Sequence, residues 1–153
     1  KRQLQKIHQG NPAIYIDYAH TPEALEFTLK EIKNSHTGEL WCLFGCGGDR
    51  DIKKRPIMGS IAEKYSDMVV LTSDNPRSEN PDKIIKDITL GISDKKKLMI
   101  NTDRKKAIIE TFNILKNKED YVLLIAGKGH ESYQEIQGQF HEFNDTEIVN
   151  SIL

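Results

Sequence analysis

Several common signals are missing from this sequence. No apolar run approaches the length needed to cross a bilayer, and no signal peptide is present. A soluble, cytoplasmic protein is the expectation. Charge of one sign is not in excess: 22 Lys and Arg stand against 23 Asp and Glu. Net charge therefore gives no support for nucleic acid or a membrane surface as a partner. The only cysteines, Cys42 and Cys46, are spaced C-x3-C, with no second Cys pair or His pair at zinc spacing. Cys42 lies in the apolar run LWCLF and reads as core. Cys46 lies between glycines and reads as a small loop residue, so neither metal nor redox chemistry is assigned to the pair. The Gly-x-Ser-x-Gly elbow of serine hydrolases is absent. Met is missing at position 1, where the chain begins KRQLQKIHQG, which fits a fragment or a processed chain.

What is present is an alternation of apolar runs and helical periods. Strands are expected at residues 13–17, 40–44, 68–72, 98–100 and 121–126. Between them, Thr21 reads as an N-cap with Pro22 opening a helix whose stripe is Leu25, Leu29 and Ile32, ending near Gly38. Pro56 is expected to open a second helix carrying Ile57, Ile61, Ala62 and Tyr65, and Pro81 a third with Ile84, Ile85 and Ile88 inward. Asp103 reads as the cap of a fourth helix with Ala107, Ile108, Phe112 and Leu115. Residues 133–143, centred on Gly138, read as a β-hairpin that would add antiparallel strand at a sheet edge. Asp145 reads as the cap of a last helix bearing Ile148, Val149 and Ile152. No repeat, low-complexity segment or linker interrupts the pattern. Residues 1–153 are therefore expected to form one α/β domain, a Rossmann-like, mostly parallel sheet with flanking helices and a C-terminal antiparallel hairpin.

In a parallel sheet all carboxyl ends lie along one edge, where ligands bind. Four strand ends here are rich in glycine and charge: Asp17-Tyr18-Ala19-His20, Gly45-Cys46-Gly47-Gly48-Asp49-Arg50-Asp51, Asp74-Asn75-Pro76-Arg77 and Gly127-Lys128-Gly129-His130-Glu131. Each alone suits an ordinary turn, and His20 alone suits a helix-entry residue bonded to backbone. Together they predict a site. Neither nucleotide fingerprint is complete: Arg50 stands where G-x-G-x-x-G needs its third glycine, and Gly127-Lys128 lacks the upstream glycine of a P-loop. His20 and His130 have no evident nucleophile to activate. The guanidiniums of Arg50 and Arg77, set beside the acids Asp74 and Glu131, suit a zwitterion such as an amino acid. Chemistry alone does not identify it.

The strings DYAHTPEAL, LWCLFGCGGDRDIKKRPIMG, DNPR and AGKGHE resemble the C-terminal domain of the Mur ligases, and within that family the members that add meso-diaminopimelate. The resemblance covers essentially the whole chain. It implies the third domain of a three-domain enzyme, after an N-terminal domain for the UDP-sugar and a central P-loop domain, both of which this domain would contact. It implies an ATP- and Mg2+-dependent ligase. ATP phosphorylates the D-Glu carboxylate of UDP-MurNAc-L-Ala-D-Glu, and the amine of the diamino acid attacks the acyl phosphate. ATP and Mg2+ would be bound mainly by the absent central domain, which also carries the family's modified metal-bridging lysine. Carried over by motif, Arg50, Asp74, Asn75, Pro76, Arg77, Gly127 and Glu131 would contact the amino acid, with Arg77 on its distal carboxylate. Arg2, Asp17 and His20 would lie on the nucleotide side. No residue of this chain is assigned a catalytic or metal-ligating role. A lysine-adding or folylpolyglutamate-type ligase, and a stand-alone amino-acid- or nucleotide-binding regulatory module, remain as alternatives.

Overall fold

The apolar runs become strands because they are buried on both faces, and successive side chains feed two different cores. A computed structural model describes residues 5–8 and 13–153. Its elements are β1 (Gln5–His8), β2 (Ala13–Asp17), α1 (Pro22–Ser35), β3 (Glu39–Phe44), α2 (Lys54–Tyr65), β4 (Met68–Leu71), α3 (Pro81–Thr89), β5 (Leu98–Ile100), α4 (Arg104–Leu115), β6 (Tyr121–Ala126), β7 (Tyr133–Ile136), β8 (Gln139–Glu142) and α5 (Asp145–Ile152). Six strands form one sheet in the order β1-β2-β6-β3-β4-β5. Every neighbouring pair is parallel except β1–β2. Among the described residues, no helix is long and apolar enough to cross a membrane.

One sheet face packs Cys42, Phe44, Val69, Leu71, Val122 and Leu124 against Leu25, Leu29, Met58, Ala62, Ile84 and Ile88 of α1, α2 and α3. The other packs Ile14, Ile16, Leu43, Val70, Leu123 and Ile125 against Ala107, Ile108, Leu115, Ile148 and Val149 of α4 and α5. Helix starts are set locally. Thr21 Oγ1 accepts from Ala24 N at 3.2 Å, Asn80 Oδ1 from Asp82 N at 2.8 Å, and Asp103 Oδ1 from Lys106 N at 3.1 Å. Pro22 and Pro81 stand in the first turns of α1 and α3. The chain leaves β3 for α2 on one face and leaves β6 towards α5 on the other. Since β3 and β6 are neighbours, their carboxyl ends diverge and open a crevice between them.

Four expectations are corrected. The hairpin does not join the main sheet; β7 and β8 form their own two-stranded sheet, tied to the loop after β4 by a bridge between Arg77 and Ile136 and by bonds from Gln134 and Glu135. All four residues of β8 are exposed, so the hairpin has little apolar face to bury against an edge. The antiparallel edge strand is instead β1, whose Ile7 packs on the α4–α5 core. Helix α2 begins at Lys54, before Pro56, and buries Arg55, Met58, Gly59 and Ala62 while Ile57 is half-exposed. The reason is Gly59: a Cβ there would overlap the Ile88 carbonyl, so the glycine lets α3 approach closely and turns that face inward. The cap of α5 is Asn144, not Asp145; Asp145 is the first helical residue and is wholly buried. Cys46 is buried, with its sulfur 3.8 Å from that of Met58. Burial pushes both thiols up to about 12, so they stay protonated and unreactive.

Candidate functional site

Strand order makes the four polar strand ends neighbours, because β2, β6, β3 and β4 lie side by side. Above them is a cavity of about 310 Å³ lined by residues from all four loops. Of the residues anticipated from sequence, His20, Arg50, Asp74, Asn75, Arg77, Gly127 and Glu131 line it. Pro76 lies beside it and supports the loop after β4 through its carbonyl, which accepts from Glu79 N at 3.0 Å. Asp17 is buried beneath, where Oδ2 accepts from Ala19 N at 3.0 Å and from the Thr28 hydroxyl at 3.2 Å. It therefore braces the turn that carries Tyr18 and His20. Arg2 lies outside the described residues.

The guanidinium of Arg77 is held on two sides. Nη1 donates to Gly48 O at 3.0 Å, and Nε pairs with Glu135 Oε1 at 3.3 Å. Its backbone sits in the left-handed region at φ 54°, a conformation that needs support in a side-chain-bearing residue. The hairpin supplies it: Arg77 N donates to Glu135 O at 2.9 Å, and Gln137 N donates to Arg77 O at 2.6 Å. The loop after β3 is locked onto the loop after β4 by Gly48 N donating to Asn75 O at 2.8 Å. A Cβ at Gly48 would overlap the Pro76 carbonyl. Buried Arg55 reinforces this from below. It grips Glu79 through both nitrogens, at 2.7 and 2.8 Å, and also donates to Asp87 at 2.9 Å and Gly47 O at 3.0 Å. The bidentate Arg55 contact holds the Glu79 carboxyl at about 2.

The opposite wall is anionic. Asp74 and Glu131 flank the fully buried Lys128, whose ammonium donates to Glu131 Oε1 at 3.1 Å and lies 3.7 Å from Asp74 Oδ1. Burial raises the Asp74 carboxyl; Arg104 and Lys128 pull it down, and Glu131 and Asp145 push it up. Gly127 has φ 112°, and a Cβ there would sit 2.8 Å from Asp74 Oδ2, so only glycine lets the loop after β6 close on Asp74. Cations and anions thus face each other across one polar cavity, as a bound zwitterion requires. Among the described residues, no group of three or more His, Cys, Asp or Glu could hold a metal ion, so they offer no all-protein cage for the Mg2+ implied by the resemblance.

Sequence reasoning missed Lys54, which lines the cavity and donates to His20 O at 2.9 Å. It also missed the supporting charges Arg55, Arg104, Asp145 and Glu135. The one available signal was the density of Lys and Arg in the DRDIKKRP string, where Arg50 was picked out and Lys54 and Arg55 were not.

Comparisons with known proteins bear on the fold and the family. Residues 3–129 match the model of the family described as Mur ligase, glutamate ligase domain. The UDP-N-acetylmuramoyl-L-alanyl-D-glutamate--2,6-diaminopimelate ligase of Aquifex aeolicus is 49% identical over 98% of this chain and 31% of its own length. A solved structure of a ligase of that name superposes with a TM-score of 0.88 at 43% identity, over 97% of this chain and 30% of the other. The folylpolyglutamate synthase of Mycobacterium tuberculosis, solved with ADP and AMPPCP, gives a TM-score of 0.64 at 18% identity over 81% of this chain and 28% of that one, a likeness of fold alone. The chain thus spans about a third of the length of these ligases. On the family match and the identity over nearly its whole length, this chain belongs to the Mur ligase family, as its glutamate ligase domain.

Proposed function

We propose that this chain is the amino-acid-binding domain of a longer, ATP-dependent ligase that joins meso-diaminopimelate to UDP-MurNAc-L-Ala-D-Glu in peptidoglycan precursor synthesis. The single observation that carries the reading is the fixed guanidinium of Arg77, held by Gly48 O and Glu135 at the cavity wall. Meso-diaminopimelate has a carboxylate and an ammonium at each end. Arg77 takes the distal carboxylate, with the Asn75 amide beside it; Asp74 and Glu131 take the ammonium next to that carboxylate. Arg50 and Lys54 add positive charge at the mouth. Lysine has no distal carboxylate, so it would forgo the pairing with the guanidinium, and specificity follows from that lost contact. The names of the relatives at about 50% identity support the same substrate.

The domain's contribution is orientation: it holds the amine that attacks the acyl phosphate. The nucleotide side is formed by His20 and by the turn that Asp17 braces, with Arg2 assigned there by motif. ATP supplies the phosphoryl group that activates the D-Glu carboxylate. The triphosphate and Mg2+ are held by a central domain, since this chain has neither a P-loop string nor a metal cluster among its described residues. This domain then works in contact with the central and N-terminal domains.

Two measurements test the reading. In the complete ligase, Arg77→Ala should lower kcat/KM for meso-diaminopimelate by about 100-fold or more while the KM for ATP changes less than about threefold. An unchanged kcat/KM for meso-diaminopimelate, or incorporation of lysine in preference by the wild type, overturns it. The 153-residue chain by itself should release no ADP from ATP, and sustained ADP release would contradict the assignment of the triphosphate to another domain.

A further inference from the structure

Lys128 cannot touch a ligand, yet it contacts three residues that line the cavity. Its side chain is 0% exposed. Its ammonium donates to Asn75 Oδ1 at 2.9 Å and to Glu131 Oε1 at 3.1 Å, with Asp74 Oδ1 at 3.7 Å. The rings of Tyr133 and Phe143 lie 5.7 and 5.9 Å away.

The amide of Asn75 has chemically opposite ends, and which end faces the cavity decides what it can bind. Two groups converge on one end: the Lys128 ammonium and the backbone N–H of Glu135, at 3.0 Å. Both only donate, so that end must be oxygen. The nitrogen end is turned towards Glu131, 3.3 Å away at Oε1. One amide hydrogen serves Glu131 and Asn75 lines the cavity, so the other can serve an acceptor such as a carboxylate oxygen.

We propose that Lys128 is a positioning residue: it sets the facing of the Asn75 amide and keeps Asp74 and Glu131 close together, so that the cavity offers a donor for a carboxylate next to anions for an ammonium. The role rests on the reading of the cavity as an amino-acid site. The hairpin takes part, because the second donor on Asn75 Oδ1 comes from β7. A Lys128→Met change keeps the length and removes one of the two donors on Asn75 Oδ1, leaving the Glu135 N–H alone to oppose turning the amide over and presenting its oxygen to the substrate carboxylate.

The test is a double-mutant cycle in the complete ligase, reading KM for meso-diaminopimelate, KM for ATP and kcat. Lys128→Met should raise the amino-acid KM by about tenfold or more with the KM for ATP within about twofold, and Lys128→Gln, which retains a donor, should fall between it and wild type. Asn75→Ala should raise the amino-acid KM strongly in wild type but by less than about threefold in the Lys128→Met background, because the amide is already misdirected there. Additive effects, or a wild-type amino-acid KM in folded Lys128→Met, overturn the proposal. If Lys128→Met loses its cooperative thermal transition, the same cycle run with Lys128→Gln decides; collapse of both makes Lys128 a core residue and also overturns it. If the wild type incorporates a different amino acid, the substrate assignment falls, and the cycle is read with that amino acid.

Discussion

Arg104 and Asp145 lie 41 residues apart and meet as a fully buried fork, with Nε donating to Oδ1 at 2.9 Å and Nη2 to Oδ2 at 2.8 Å. The same guanidinium donates to Ser73 O at 3.0 Å and to Ala126 O at 3.2 Å, the carbonyls just before Asp74 and Gly127. One buried cation therefore ties α5 to the ends of the two strands that build the anionic wall. Burial works most strongly against its charge, but Asp145, Asp74 and Glu131 together outweigh it and raise the Arg104 pKa.

Removing one member of this pair leaves the other charged and buried. Arg104→Met should destabilise the protein by about 3–5 kcal/mol, and Arg104→Met combined with Asp145→Leu should recover most of that. Thermal and urea unfolding measure both. An unchanged midpoint in the single variant would show that Asp145 finds water or another partner.

Glu79 gives acid sensitivity with a defined sign. Arg55 lowers its carboxyl from 4.5 to about 2 in the fold, so its stabilisation is complete above the unfolded value and is lost as pH falls from about 4.5 towards 2. Glu79→Gln should flatten the fall of the thermal midpoint across that window. It should not abolish it, because Asp87 and Glu63 are also held low. A slope equal to wild type would place the acid sensitivity elsewhere.

Asp74 has the opposite sign. Burial raises its pKa, so its contribution favours the fold when protonated and is lost as pH rises through the folded value. Burial thus penalises its ionised form. Asp74→Asn should raise the thermal midpoint at pH 7 by about 2–5 °C while raising the amino-acid KM by about tenfold. A lower midpoint would mean that the Lys128 and Arg104 charges need Asp74 more than burial penalises it.

Gly127→Ala places a Cβ 2.8 Å from Asp74 Oδ2 at φ 112°. The cost should be about 1–3 kcal/mol of stability, with a larger loss of kcat/KM for the amino acid than for ATP. Equal losses for both substrates would indicate a general collapse of the loop rather than displacement of Asp74.

Much of this was legible because it is local. Thr21 and Asp103 announce helix starts through bonds that span three residues, and Pro22 and Pro81 through their fixed φ. The apolar runs of β3, β4 and β6 announce buried strands, and their glycine- and charge-rich ends announce a shared edge. Ile57 misled because period alone does not reveal that Gly59 lets α3 in close. Asp145 misled because an acid before an apolar stripe suits a helix cap, while its partner Arg104 lies 41 residues away. The hairpin was found by alternation around Gly138, but its docking on Arg77 uses main-chain groups that every sequence has.

By itself, then, the sequence determined most of the elements, the edge at which their polar ends gather and the balance of charges there, since strand and helix periods and turn chemistry act over a few residues. Only the tertiary structure decided that β6 enters between β2 and β3, which sets Lys128 and Glu131 against Asn75. It also decided which charged side chains are buried supports and which line the cavity. That division cannot be local, because a buried charge is tolerated only where partners from distant segments converge on it.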